Sequence, residues 1–374
     1  MNTWQQHAAE LTQELTRKGA LAPSWRDAFA STPRHVFVPS FYDDDNNRVG
    51  ADSPAGLAAV YADDSLVTQV ASHPGGDFLW PTSSSTRPSL MAQMLGLLDV
   101  NDEQTVLEVG TGTGYNAALL CHRLGDRNVT SIDIDAGLVE AARARLAGIG
   151  FYPYLFVGDG AQGVAQRAPF GRIIATAGVA AIPPAWIGQL ADDGVIVADI
   201  RGELASALIV ATKNGPHQVR GRFHDIPGHF MWLRARPDHP LRHGADPATT
   251  FDFTDPQHAT TDMPADAFDS REFRFLLQLA VPGLGPISSH LPEGGEGVFL
   301  RAEDDCSWVQ YRPGDDNGKA TVIYGGPRQL WPQVEDTWQR WSRWQYPGIR
   351  RFGMTAFDDG RRQIWLDHDY AVVL

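Results

Sequence analysis

The chain has 374 residues, of which 43% are hydrophobic, and carries a formal net charge of −14 with a pI near 5.2. That length fits one large domain plus a smaller companion, and the apolar fraction excludes a disordered chain. The acidity and the absence of a long Lys/Arg block argue against duplex binding, no apolar run is long enough to span a bilayer, and Cys121 and Cys306 are too few and too far apart for a disulfide framework or a zinc site.

The N-terminus has no apolar signal core, which predicts a cytoplasmic protein without membrane or nucleic-acid partners and without a metal. Trp4, Ala8, Leu11 and Leu15 recur at helical spacing, with Gly19 as a stop. A short helix is expected over 25–29, followed by TPRHVFVPSFY (32–42). The polar DDDNNRVGADSPAG (43–56) reads as a surface loop, and so does SHPGGDFLWPTSSST (72–86); 60–70 between them is ambiguous. From residue 87 the pattern becomes regular. Helices are predicted over 88–98, 115–124, 136–148 and 184–190, and strands over 105–109, 128–132, 154–157, 172–175, 194–200 and 205–211. This alternation implies an α/β fold, a doubly wound, Rossmann-like parallel sheet with helices on both faces.

After about residue 236 the alternation stops, and loops with Pro and His run to about 265. Strands are then predicted over 297–302, 308–312 and 320–324, with EDDCS and GDDNG as turns. Trp331, Val334, Trp338 and Trp341 form a helical stripe, and FGMTAF-DDG-RRQIWLDH (352–368) reads as a hairpin. The expected organisation is an N-terminal helical segment with a substrate loop (1–85), a core (86–235) and an additional C-terminal α+β domain (236–374).

The segment VLEVGTGTGYNAALL (106–120) carries the chemistry. A strand ends in Gly110, Gly112 and Gly114, and a helix starts at once. Glycines let a ligand approach the backbone, and the helix start offers free N–H groups. The next strand, NVTSIDID (128–135), ends in Asp133, which can accept both hydroxyls of a ribose. Asp135 fits the cap of the helix at 136 better. Asp159 in VGDG (157–160) lies at a third strand tip and could bond an adenine amino group. Three sites on successive strand ends fit a nucleoside ligand; the glycine loop and Asp133 alone would equally suit a dinucleotide.

PRHVFVP (33–39), VLEVGTGTGYNAALL, GDGAQG (158–163), APFGRIIATAG (168–178) and IPPAWIGQLADDGVIV (182–197) resemble, as an ordered set, the protein-L-isoaspartate O-methyltransferase family. The resemblance covers roughly residues 20–235. It implies a doubly wound methyltransferase sheet binding S-adenosyl-L-methionine through Gly110, Gly112, Asp133, Ile134, Asp159 and Gly160. The family's serine beside the reacting carboxylate aligns with Thr86, before Pro88, and the preceding Thr-Ile with Ser84 and Ser85. The resemblance therefore makes Thr86 the catalytic hydroxyl and Ser84, Ser85 and Thr86 substrate contacts. A carboxylate is already ionised at neutral pH, so no general base is needed, and no role is assigned to His35 or the other histidines.

The added segment contains WQRWSRWQYPGIRRF (338–352), with Arg350 and Arg351 in an acidic protein. Such a cluster suits an acidic peptide, and it also reads as a Trp core with a solvated Arg face. The longer loop, Thr86 and the added domain resemble family members that tailor ribosomally made peptides of the lanthipeptide kind. That resemblance implies methylation of an Asp in a cyclised peptide, then succinimide and isoaspartate formation. The alternatives are general repair of isoaspartyl proteins, a catalytically inactive cofactor-binding adaptor, and a nicotinamide oxidoreductase.

Overall fold

The computed structural model describes residues 3–72, 79–236, 251–302, 304–314 and 318–367. The chain opens with α1 (Trp4–Arg17), α2 (Arg26–Ser31) and α3 (Arg34–Phe37). Thr3 starts α1 with a capping box: its hydroxyl accepts from the Gln6 N–H, and the Gln6 side chain accepts from the Thr3 N–H. Strands β1 (Ser40–Tyr42) and β2 (Arg48–Gly50), helix α4 (Pro54–Val60), and strands β3 (Leu66–Ser72) and β4 (Leu79–Ser85) follow. The four strands form one antiparallel sheet in the order β2-β1-β3-β4.

Here the structure departs from the sequence expectation. Residues 79–85 of the predicted loop at 72–86 form β4, paired with β3, so Ser84 and Ser85 are strand residues. The usual apolar alternation is missing because the buried positions of β4 are Ser83 and Ser85. The rest of that loop, 73–78, lies outside the described residues.

The central region runs α5 (Pro88–Leu98), β5 (Val106–Val109), α6 (Tyr115–Leu124), β6 (Val129–Asp133), α7 (Ala136–Gly148), β7 (Tyr154–Val157), β8 (Phe170–Val179), α8 (Pro184–Gln189), β9 (Leu190–Arg201), β10 (Ser206–Lys213) and β11 (Gln218–His224). The C-terminal region holds β12 (Gln257–Thr261), α9 (Arg271–Ala280), β13 (Ser288–His290), β14 (Glu296–Arg301), β15 (Trp308–Arg312), β16 (Ala320–Gly325), α10 (Leu330–Arg343), β17 (Phe352–Phe357) and β18 (Arg362–Leu366). Strands β11 and β12 and helix α9 are absent from the sequence expectations. The predicted turns at 303–307 and 314–318 fall partly outside the described residues.

The large sheet has nine strands in the order β18-β17-β11-β10-β9-β8-β5-β6-β7. Strands β9, β8, β5, β6 and β7 are parallel, and the others are added antiparallel. Successive side chains on a strand point to opposite faces, so each central strand feeds two cores. Val106, Ile174, Val197 and Leu208 pack with the N-terminal helices, α5, α6 and α7. Leu107, Ile173, Ile196 and Ile209 pack with α8, α9, α10 and the second sheet.

The C-terminal region adds a sheet of its own and also extends the large one. Strands β12-β16-β15-β14-β13 make their own sheet, as an added α+β element requires. The terminal hairpin, however, continues the large sheet through β17 on β11, and α9 and α10 share the core of that sheet. The boundary expected at 236 is thus not a core boundary. The Trp stripe belongs to this core, with Trp331, Val334 and Trp341 buried and Trp341 against Phe273. No described helix is long and apolar enough to cross a membrane.

Candidate active site

The C-terminal ends of β5, β6 and β8 open into a cavity roofed by the end of β4 and by residues 228–234 after β11. In the glycine loop, φ is +98° at Gly110 and +50° at Gly112, in the left-handed region that glycine tolerates best. A Cβ on Gly110 would lie 2.7 Å from the Thr176 hydroxyl. A Cβ on Gly112 would meet nothing closer than 3.8 Å, because it faces the open cavity. The Asp133 carboxylate accepts from the N–H of Gly112 at 2.9 Å and of Asp135 at 3.1 Å. Burial pushes its pKa up, against those bonds. Asp135 spends Oδ1 on the N–H groups of Gly137 and Leu138, which caps α7 and leaves Asp133 at the cavity.

Beneath the loop lies a residue that the sequence reading overlooked. Glu108 is fully buried and accepts from Asn116 Nδ2 at 2.7 Å and Ser131 Oγ at 2.5 Å. Thr111 Oγ1 and Ser131 Oγ extend this network at 2.6 Å. Burial raises the Glu108 carboxyl to about 7 in spite of these donors.

Thr86 lines the cavity opposite the loop. Arg34, from the PRHVFVP segment, fixes it there. Its guanidinium is wholly buried and donates to the carbonyls of Val60 (2.7 Å), Ala62 (3.1 Å), Asp64 (3.2 Å) and Thr86 (3.2 Å), and to Ser85 Oγ (3.3 Å). Burial lowers its pKa, and carbonyl oxygens rather than a single counter-ion surround the charge. The Thr86 hydroxyl makes no hydrogen bond to another described residue, so it is available to a ligand in the cavity. The β3–β4 hairpin is also tied to α7, since Gln69 Nε2 donates to Asp135 Oδ2 (3.1 Å) and Thr82 Oγ1 to Gln69 Oε1 (2.7 Å).

The third wall, residues 228–234, was missed as well. Gly178 N–H donates to Met231 O at 2.8 Å, and Leu233 N–H to Gly178 O at 2.9 Å. Asp199, buried on β9, accepts from Phe230 N–H at 3.2 Å, and burial raises its carboxyl to about 6. Ser206 Oγ accepts from His229 N–H at 3.1 Å. Arg201 Nη1 donates to Phe230 O, and its guanidinium lies 4.8 Å from the Trp232 ring centroid. Only glycine fits at 228, because a Cβ would sit 2.4 Å from the Asp199 carboxyl carbon.

Of the residues singled out from sequence, Ser84, Ser85, Thr86, Gly110, Gly112, Asp133, Ile134 and Gly160 line this one cavity. The Ser85 hydroxyl is already engaged by Arg34. Asp159 is not part of the lining, and its Oδ1 accepts from Ala161 N–H at 2.9 Å, a local turn cap. Arg350 and Arg351 are not brought to the cavity either. Arg351 pairs with Asp367 through two nitrogens at 2.7 and 3.0 Å, and both lie where the terminal hairpin meets β11. His35 bonds the Tyr61 hydroxyl at 2.9 Å, a packing role. The open position at Gly112 and the desolvated acid at the next strand tip suit the amino-acid and ribose parts of S-adenosylmethionine.

The family model for protein-L-isoaspartate(D-aspartate) O-methyltransferase matches residues 6–224. A protein-L-isoaspartate O-methyltransferase of Methylorubrum populi is 32% identical over 215 residues, covering 58% of this chain and 89% of that protein. Protein-L-isoaspartate O-methyltransferase 2 of Archaeoglobus fulgidus is 31% identical over 239 residues, 62% of this chain and 95% of its own. A solved protein-L-isoaspartate O-methyltransferase, 22% identical, aligns with a TM-score of 0.58 over 96% of this chain and 100% of that one, a likeness of fold that includes most of the C-terminal region. The family match runs from α1 to the end of β11, more than half of the chain, and the chain therefore belongs to the protein-L-isoaspartate(D-aspartate) O-methyltransferase family as an S-adenosylmethionine-dependent carboxylate O-methyltransferase.

Proposed function

We propose that the chain methylates the free carboxylate of isoaspartyl residues in peptides or proteins. The observation that carries this reading is the unengaged Thr86 hydroxyl, held by Arg34 across the same cavity as the glycine loop and Asp133. When bound, S-adenosylmethionine supplies a methyl group on a sulfonium centre and leaves as a neutral thioether. Asp133 would hold the ribose hydroxyls, and the open face at Gly112 would admit the amino-acid end. The Thr86 hydroxyl donates to one carboxylate oxygen and directs the other toward the methyl carbon. The new bond is O–CH₃ and the bond broken is S–CH₃, so no proton has to move. Alignment and exclusion of water do the work, with Phe230 and Met91 among the apolar residues of the wall.

The names of the relatives favour repair-type chemistry over peptide tailoring. The added region is a weak mark of a specialised substrate, because the fold of a solved isoaspartate methyltransferase extends across it. Tailoring of a cyclised peptide stays as the second reading, supported by threonine in place of the family serine. The test is labelled methyl transfer to one linear peptide with a single isoaspartate, to its Asp counterpart, and to a cyclised Asp peptide. A base-labile methyl ester on the isoaspartyl peptide alone is expected. Methylation of the cyclised Asp peptide alone would establish the second reading. Cofactor binding with no methylation of any of the three would make the chain an adaptor.

A further inference from the structure

We infer that Gln69 is a positioning residue that couples the two sides of the cavity: it makes β4, the strand that leads to Thr86, follow the occupancy of the cofactor side, so that cofactor and acceptor peptide bind cooperatively. The inference rests on the peptide reading above.

A chain of hydrogen bonds is the first support. Asp133, the acid that lines the cofactor side, accepts from Asp135 N–H at 3.1 Å. Asp135 caps α7 with Oδ1, and its Oδ2 accepts from Gln69 Nε2 at 3.1 Å. Gln69 Oε1 in turn accepts from Thr82 Oγ1 at 2.7 Å, and the Thr82 carbonyl accepts from Arg234 Nη2 at 3.4 Å. Thr82 and Arg234 both line the cavity. Gln69 thus joins the cofactor acid to β4, and through β4 to the wall formed by residues 228–234.

The weak anchoring of β4 is the second support. It is an edge strand, paired with β3 in the order β2-β1-β3-β4. None of the described residues 79–85 belongs to an apolar core, and the buried side chains of the strand are Ser83 and Ser85. Arg34 fixes its end at Ser85 and Thr86, while Gln69 and Arg234 hold its middle at Thr82. A strand with so little buried apolar surface opens locally at low cost, and its polar partners set its place.

The ladder itself is the third support. The pairing of β3 with β4 changes register on both sides of Gln69, whose Cα partner is Ser83. Such irregularities occur beside active sites, where they re-aim a side chain. Here the side chain so placed bridges Asp135 and Thr82. A ligand on Asp133 immobilises that carboxylate and the turn to Asp135, and Gln69 passes the order on to β4. The peptide then meets a strand that is already ordered and loses less conformational entropy, and by linkage the effect is reciprocal.

The experiment follows amide hydrogen exchange of β4, and calorimetric affinity for an isoaspartyl peptide, each with and without S-adenosylhomocysteine. In the wild type, S-adenosylhomocysteine is expected to slow β4 exchange and to raise peptide affinity, each about tenfold, an ordinary size for coupling between sites. In Gln69→Leu both effects should shrink to within about twofold, while S-adenosylhomocysteine still binds. Gln69→Glu sets a second carboxylate against Asp135 and should lose the coupling as well. Adding Asp135→Asn restores one donor and one acceptor in reversed order, keeps an oxygen to cap α7, and should return most of the coupling. A lowered melting temperature in Gln69→Leu with the coupling intact would make the residue structural only and overturn the inference. Exchange in wild-type β4 that ignores S-adenosylhomocysteine overturns it too. The exchange readout needs no peptide. Protection of β4 that depends on Gln69, without methyl transfer to any isoaspartyl peptide, keeps the tie and overturns the proposed reaction instead.

Discussion

A chain ended after residue 236 is expected to be insoluble or unfolded, not a minimal enzyme. The cut removes β17 and β18 from the large sheet and strips α9 and α10 from its second face. Phe223, whose ring meets Phe275 edge-on at 4.9 Å, would be left in water with Ile209 and Val219. Burying one large apolar side chain contributes about 1.5–3 kcal/mol, and a whole domain holds only about 5–15 kcal/mol in net stability. Three or four such losses exhaust it. The open edge of β11 would also invite strand pairing between molecules. Size-exclusion chromatography and thermal melting check this. A monomeric fragment with a cooperative transition near that of the full chain would show that the C-terminal region is an independent unit after all.

The second large effect concerns Arg34. Arg34→Met is expected to cost about 3–5 kcal/mol, the usual penalty for removing one side of a buried polar cluster. Four carbonyls and one hydroxyl lose their donor together. Arg34→Lys keeps the charge but cannot span all five acceptors with a single ammonium. It should fold at reduced stability and release the Thr86 carbonyl. Urea unfolding of both variants gives the stabilities, and turnover of the lysine variant shows whether Thr86 has moved. Loss of less than about 1 kcal/mol in the methionine variant would mean that Arg34 is not the hub of this wall.

The glycine-loop side of the cavity was legible because its parts are local. The Gly110–Gly114 turn and Asp133 each sit at the end of an apolar strand, and Asp135 is recognisable as the helix cap, which frees Asp133. The opposite walls were not legible, for separate reasons. β4 buries serines, so no apolar alternation announces it. Arg34 is a charged residue in the interior, and its role emerges only when segments about 26–52 positions away fold around it. His229 depends on Asp199 and Ser206 on neighbouring strands, contacts that no local pattern encodes. Arg350 and Arg351 misled for the converse reason. Arginines among tryptophans resemble a recognition surface, but Arg351 is paired with Asp367 where the hairpin joins β11. The hairpin itself was read correctly from FGMTAF-DDG-RRQIWL, while its pairing partner lies over 130 residues earlier and could not be.

The central claim is that the carboxylate is methylated in the cavity beneath Thr86. The most direct measurement compares Thr86→Val with wild type, on an isoaspartyl peptide, for both turnover and S-adenosylmethionine affinity. Valine keeps the shape and removes only the hydroxyl. Turnover should fall about 10²-fold, the scale for a misplaced reacting group, while cofactor affinity stays the same within about twofold. Unchanged turnover would contradict the account and place the reacting carboxylate elsewhere.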